Sequence, residues 1–91
     1  MAYTVRTTNR FDKNLAKMKK RGLPMDAFKE VIRLLMANGS LPSKYRPHKL
    51  KGKYAGKWEC HISPDWLLVW DQNDTELILL LIDTGTHADL F

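Results

Sequence analysis

The sequence predicts an α+β fold in which a two-helix hairpin packs on one face of a mostly antiparallel sheet. Apolar residues recur at helical spacing between residues 9 and 38, whereas after residue 57 they alternate with polar residues or form short continuous runs. A further alternating stretch opens the chain. The length of 91 residues, of which 44% are hydrophobic, is enough for one domain, so we predict a single domain at residues 1–91.

The N-terminal part predicts a strand followed by two helices. Residues 3–7 alternate apolar and polar side chains, which indicates a short half-buried strand. Asn9 is the expected cap of the first helix and Gly22 its end, while the second helix begins near Pro24 and ends at Gly39. The predicted buried faces consist of Phe11, Leu15 and Met18 in the first helix, and of Met25, Phe28, Val31, Ile32 and Leu35 in the second.

The C-terminal half predicts strands joined by tight turns. Prolines and glycines interrupt residues 40–56, which we interpret as an ordered loop with room for a short strand. Trp58, Cys60 and Ile62 alternate with polar neighbours and are expected in the core. Strands are predicted at residues 57–62, 66–70 and 77–82, with turns at residues 63–65 and 71–74 and a short mixed tail after residue 83.

The charges are separated along the chain. All 15 Lys and Arg residues lie within residues 1–58, which contain only three acids. Residues 59–91 contain seven acids and no Lys or Arg. The two parts therefore carry +12 and −7, which sum to the net +5. Such an asymmetry favours binding to a polyanion. We expect a cytoplasmic protein, because the N-terminus lacks a signal-peptide pattern, no apolar run could span a membrane, and Cys60 has no partner for a disulfide.

A basic loop predicts contact with single-stranded RNA. Residues 44–57 contain six Lys or Arg residues and no acid, and aromatic residues lie among them. Cations hold phosphates and aromatic faces stack on unpaired bases, so this composition suits an RNA ligand. The expected phosphate-binding residues are Arg46, Lys49, Lys51 and Lys53.

Three histidines are candidates for acid–base chemistry: His48 in the basic loop, His61 at a strand end and His87 in the tail. Imidazole titrates near neutral pH, which suits proton transfer from a 2′-hydroxyl and to a leaving 5′-oxygen. Spacing alone fits this role and ordinary surface histidines about equally. The residues alone also leave open whether Asp65 forms the turn or orients a histidine, and whether Trp66 is core or a base-stacking platform. No zinc-ligand spacing occurs, so no metal or cofactor is expected.

Three segments resemble the YafQ branch of the RelE-type bacterial toxins: HKLKG at residues 48–52, HISPDWLL at residues 61–68 and TGTHADLF at residues 84–91. The resemblance implies a RelE-like fold and a ribosome-dependent messenger-RNA endonuclease that cuts the codon in the ribosomal A site. In such enzymes the 2′-oxygen attacks the adjacent phosphate without a metal, which leaves a cyclic phosphate and a 5′-hydroxyl.

The resemblance also implies a set of site residues. His48, His61, Asp65 and His87 match the family's acid–base cluster, and Trp66 and Phe91 match residues beside the substrate. We expect His87 to be the general acid, His48 or His61 the base, and Asp65 to orient or assist.

One position departs from the family pattern. Asp83 stands where the family commonly has an arginine that neutralises the phosphate. A carboxylate there would repel the phosphate unless it points away or pairs with a basic neighbour. Arg46, Lys51 and Lys53 are the candidates to replace the missing charge.

The resemblance implies protein and RNA partners. We expect a small antitoxin whose acidic segment covers the basic surface, the ribosome with its messenger RNA, and operator DNA bound only by the toxin–antitoxin pair; no membrane partner is expected. Two alternatives stay open: a non-catalytic RNA- or ribosome-binding module, and a toxin of the same fold that acts on DNA gyrase. Histidine substitutions separate them, because only a nuclease needs the histidine cluster.

Overall fold

Five strands form one mixed sheet in a computed structural model that describes residues 2–91; Met1 of the predicted domain lies outside the described residues. The spatial order is β1-β5-β4-β3-β2, with β1 parallel to β5 and every other neighbouring pair antiparallel, where the strands are β1 (Thr4–Thr7), β2 (His48–Lys49), β3 (Trp58–Ser63), β4 (Trp66–Asn73) and β5 (Ile78–Gly85). The predicted α+β class with a mostly antiparallel sheet is confirmed.

Two helices, α1 (Asn9–Lys20) and α2 (Met25–Asn38), follow β1 as predicted. The cap of α1 is Thr8, so the expectation of Asn9 is wrong by one position. The Thr8 hydroxyl accepts a hydrogen bond from the Phe11 N–H (3.0 Å) and donates to the Ile82 carbonyl (2.7 Å), which anchors α1 to β5. At the end of α2, Gly39 takes the left-handed conformation (φ 66°) and its N–H donates to Leu35.

The main core lies between the helices and one face of the sheet. The expected strand residues Cys60 and Ile62 are buried there, and Trp58 packs at its edge with its ring stacked 6.1 Å from Trp70. The other principal members of this core are Phe11, Met18, Val31, Leu35, Leu68, Leu79 and Leu81.

The second face of the sheet has a smaller apolar cluster. Tyr54, from the loop before β3, and Leu90, from the short helix α3 (His87–Leu90), cover Leu67 and Val69 of β4. A bulge shifts the β4–β5 register, because Val69 lies opposite Asp83 while Trp70 lies opposite Leu81. Asp83 therefore shares the second face with Val69, and this face carries the candidate site.

The turn predicted at residues 71–74 begins later. Asp71 and Gln72 still pair with β5, and the chain reverses after Asn73, whose side-chain oxygen accepts hydrogen bonds from the N–H groups of Thr75 and Glu76. No helix within residues 2–91 is both long enough and apolar enough to cross a membrane.

We predict that Gly39→Ala lowers the free energy of unfolding more than Gly22→Ala does. Both glycines have positive φ (66° and 81°), so each alanine incurs about 1–2 kcal/mol of backbone strain. A Cβ at Gly39 would also lie 2.4 Å from the Tyr3 hydroxyl oxygen, whereas at Gly22 it would meet nothing within 4 Å. Chemical denaturation of the two variants measures the difference, and equal losses would contradict the importance of the Tyr3 contact.

Candidate active site

Asp65 and His87 form the tightest pair of the site. Asp65 lies in the turn between β3 and β4, and His87 is the first residue of α3. One carboxylate oxygen, Oδ1, accepts the backbone N–H of His87 at 3.0 Å and lies 2.5 Å from its ring Nδ1. Both hydrogen bonds lower the pKa of Asp65, and the one from the His87 ring has the larger effect. We therefore assign the Nδ1 proton of His87 to this contact, which leaves Nε2 for a substrate.

His61 lies beside His87 on the same side of the sheet. The two ring centroids are 5.6 Å apart and the rings are inclined by 54°. The Nδ1 atom of His61 lies 3.4 Å from the Pro64 carbonyl oxygen, which can only accept a hydrogen bond. A neutral His61 with its proton on Nδ1 presents the lone pair of Nε2.

His48 reaches the same face from the neighbouring strand. It lies opposite Glu59 in the β2–β3 pairing, and Glu59 precedes His61 by two residues on β3. His48 and His61 are therefore diagonal neighbours, about 7–8 Å apart. Both ring nitrogens of His48 face acceptors, since Nδ1 lies 2.8 Å from the Arg46 carbonyl oxygen and Nε2 lies 3.2 Å from Glu59 Oε1.

Glu59 is a site residue that the sequence analysis missed. Only 5% of it is exposed, and its second oxygen, Oε2, has no hydrogen-bond partner among residues 2–91. The alternation of Trp58, Cys60 and Ile62 with Glu59 and His61 indicated that Glu59 shares a face with His61. Its burial was not foreseen, because nothing in the pattern indicated that this face is covered.

Trp66 is not available to a substrate, so its prediction as a substrate-binding residue is wrong. Its side chain is fully buried on the helix face, the same face as Leu68 and Trp70. The indole N–H donates to the Thr84 hydroxyl at 2.8 Å. Phe91, in contrast, is 67% exposed, and its ring stands edge-on to Tyr54 at 6.5 Å.

The four predicted phosphate-binding cations do not lie together. Arg46 and His61 line the same surface groove. Lys53 places its ammonium 5.2 Å from the centre of the Tyr54 ring, and Lys51 is exposed in the same loop. Lys49 follows His48 on β2 and lies over Trp58 at 5.6 Å. Side chains alternate along a strand, so Lys49 is turned away from the histidines, and its role in substrate binding stays a prediction.

Asp83 is buried and is held by neutral donors. Only 3% of it is exposed. Its Oδ1 accepts hydrogen bonds from the Asn14 amide at 2.6 Å and the Thr84 backbone N–H at 2.8 Å, and its Oδ2 accepts one from the Tyr54 hydroxyl at 3.3 Å. The carboxylate thus joins α1 and the loop before β3 to β5, and none of the basic side chains within residues 2–91 is hydrogen-bonded to it.

A capping box fixes α3 and so positions His87. Thr86 and Asp89 exchange hydrogen bonds between their side chains and backbone N–H groups. Arg21 at the end of α1 binds the Asp89 carboxylate at 2.7 Å. This hydrogen bond, followed by that from the Thr86 backbone, lowers the pKa of Asp89 to about 2.

No group of three or more His, Cys, Asp or Glu side chains within residues 2–91 is arranged to hold a metal ion.

Comparison with known proteins identifies the family. Residues 3–91 match the family described as the bacterial toxin of type II toxin–antitoxin systems, YafQ. The chain belongs to the YafQ family. The mRNA interferase toxin YafQ of Escherichia coli K12 is 34% identical over 85 residues, which are 92% of this chain and 90% of that relative.

Solved structures of the YafQ family share the fold. YafQ from E. coli strain BL21(DE3) superimposes with a TM-score of 0.89 at 31% identity, over 98% of each chain. The E. coli DinJ-YafQ toxin–antitoxin complex matches with a TM-score of 0.88 at 32% identity, over 100% of this chain and 99% of that one. The predicted resemblance and the predicted RelE-like fold are thereby confirmed.

We predict that Arg21 controls the titration of Asp89. An NMR titration of the Asp89 carboxyl should give a midpoint of about 2 in the native protein, and Arg21→Ala should move it towards the ordinary value of 3.8. Because the folded-state pKa is the lower one, the anchoring of α3 is present above the unfolded pKa and is lost as pH falls through about 2. Arg10→Ala is the control, and an unchanged midpoint in Arg21→Ala would contradict the assignment.

Proposed function

We propose that this chain is the toxin of a type II toxin–antitoxin pair and cleaves messenger RNA on the ribosome by general acid–base catalysis. The observation that carries the proposal is the placement of His61 beside His87, with Asp65 holding the His87 ring. The name of the E. coli relative, an mRNA interferase toxin, supports the same reaction.

In the proposed reaction the two histidines act on opposite sides of one phosphate. Nε2 of neutral His61 takes the proton of the 2′-hydroxyl, and the 2′-oxygen attacks the phosphorus. The bond to the 5′-oxygen breaks as His87 donates its Nε2 proton to that oxygen. The products are a 2′,3′-cyclic phosphate and a 5′-hydroxyl. The carboxylate of Asp65, whose pKa is lowered further by its hydrogen bonds to His87, stabilises the protonated His87.

The contacts of His48 favour His61 as the base. A base needs a free lone pair, whereas both nitrogens of His48 already face protein acceptors, the Arg46 carbonyl and the Glu59 carboxylate. Neither ring nitrogen of His48 is therefore free to take a proton from the substrate. In the proposed site His48 lies beside the phosphate as part of the pair with Glu59, which is its positioning residue.

We expect induction of the wild-type toxin in growing cells to produce new message ends that primer extension maps in the reading frame. His61→Ala and His87→Ala should each reduce these ends by about two to four orders of magnitude, while binding to ribosomes is retained. A wild-type protein that yields no such ends would indicate a binding module, and a triple histidine variant that stays toxic would favour the gyrase alternative.

A substrate with sulfur in place of the scissile 5′-oxygen tests the two roles separately. A thiolate leaves without a proton, so this substrate should restore cleavage by His87→Ala to near the wild-type rate. It should leave His61→Ala inactive, because the 2′-hydroxyl still needs a base. Rescue of His61→Ala instead of His87→Ala would reverse the assignment.

We further propose that a small antitoxin covers the basic surface with an acidic segment, and that the pair, not the toxin alone, binds operator DNA. The solved DinJ-YafQ complex supports an antitoxin partner. The +12 charge of residues 1–58 supports both an acidic partner and an RNA-rich target such as the ribosomal A site.

We predict that Asp83→Arg lowers cleavage instead of raising it. An arginine would place a charge in a buried position and break the hydrogen bonds to Asn14, Tyr54 and the Thr84 backbone. Asp83→Asn removes the charge but keeps an oxygen for Asn14 and serves as the matched control. Cleavage by purified ribosome complexes and thermal unfolding should be measured together. A stable Asp83→Arg protein with raised cleavage would show that repulsion by Asp83 limits the enzyme.

A further inference from the structure

A groove beside His61 has no acidic residue in its wall. It has a volume of about 460 Å³, within the range of about 300–1,000 Å³ typical of small-molecule sites. Its polar wall carries two cations and two groups that can form hydrogen bonds: Lys44, Arg46, His61 and Ser63. Tyr45, Ile62, Ala27 and Pro64 supply its less polar parts.

The groove exists because β2 is only two residues long. His48 and Lys49 pair with β3, but Arg46 takes a left-handed conformation (φ 50°) and turns the chain away from the end of β3. A 3₁₀ turn at Ser43–Tyr45 lies beside the end of β3, and the buried Tyr45 ring anchors it. Lys44 places its ammonium 5.0 Å from the centre of that ring.

The two histidines of the proposed reaction therefore have different neighbours. His61 lines the groove with Arg46, whereas His87 is followed one helical turn later by the exposed ring of Phe91, whose N–H donates to the His87 carbonyl at 2.9 Å. In 2′-oxygen attack the base acts on the nucleotide 5′ of the phosphate, and the acid acts on the oxygen of the nucleotide 3′ of it. The assignment of base and acid thus fixes which nucleotide meets which surface.

We propose that the Lys44–Arg46 groove binds the nucleotide on the 5′ side of the scissile phosphate and that Phe91 stacks on the nucleotide on the 3′ side. This inference rests on the proposed function and adds the direction of the RNA strand. Arg46 and Lys44 offer cationic donors to the base and sugar of the 5′ nucleotide, and Ser63 offers a hydroxyl for hydrogen bonding.

Two mononucleotides test the direction, because they share a base and a phosphate and differ in the side from which the nucleoside extends. With its phosphate at the histidines, adenosine 3′-monophosphate extends as a 5′-side nucleotide, and adenosine 5′-monophosphate extends as a 3′-side nucleotide. In ¹H–¹⁵N NMR titrations both should shift His61 and His87. The 3′-monophosphate should also shift residues 44–46 and Ser63, and the 5′-monophosphate should also shift Tyr54 and Phe91.

Variants should separate the two surfaces. Arg46→Gln keeps the backbone carbonyl that His48 contacts. It should lower the affinity for the 3′-monophosphate about tenfold, which is the effect of losing one charge-assisted hydrogen bond. The affinity for the 5′-monophosphate should not change. Phe91→Ala should have the opposite selectivity. Arg10→Gln, an exposed arginine on α1, is the matched control and should change neither affinity.

The outcomes distinguish this inference from the proposed function. Reversed or identical shift patterns for the two nucleotides, or no response of residues 44–46 to the 3′-monophosphate, would overturn the strand direction. Inorganic phosphate, titrated alone, should shift only the histidine cluster. Cleavage that persists in His61→Ala and His87→Ala would instead defeat the proposed catalysis itself, whichever nucleotide occupies the groove.

Discussion

The site depends on one carboxylate that joins two distant parts of the chain. Asp65 binds both the backbone and the ring of His87, 22 residues later in the sequence. The hydrogen bonds fix where α3 begins, so they also determine where Leu90 is buried and where Phe91 is displayed. The Thr86–Asp89 capping box and Arg21 hold the same helix from its other side. A terminal segment of four helical residues has little order of its own, and these contacts supply it.

The second face of the sheet buries two carboxylates, Asp83 and Glu59, whose partners differ in kind. Asp83 accepts hydrogen bonds from three neutral donors, which stabilise the buried carboxylate. Within residues 2–91 the ionic partner of Glu59 is His48, whose Nε2 lies 3.2 Å from Glu59 Oε1, and Oε2 has no hydrogen-bond partner. A buried carboxylate with a single partner depends on that partner, because loss of the partner would leave an uncompensated buried charge. Within residues 2–91, His48 is therefore the side chain that compensates the buried Glu59 across the β2–β3 pair.

The fold was largely predictable from the sequence, whereas the direction of several side chains was not. The periodicity of Phe11, Val31 and Leu35 reflects a local rule, that apolar residues at helical spacing face a core, and this rule held. Trp66 and Asp83 depend on strand register and on a bulge, which no local pattern reveals. The segments around the histidines identify them more specifically than their spacing does. The burial of Glu59 is not predictable from the local pattern, because it requires the folded second face.

The aspartate at position 83 leaves the cations of the proposed site on one side of it. Arg46 lies on the β2 side, near His61, whereas Asp83 on β5 accepts hydrogen bonds from neutral donors. On the proposed assignment of roles, Arg46 lies nearer the attacking 2′-oxygen than the leaving 5′-oxygen. Charge on the leaving oxygen must then be cancelled mainly by the proton of His87, because no arginine stands on β5 to share it. The hydrogen bond that Asp65 accepts from the His87 ring stabilises protonated His87 and is correspondingly more important.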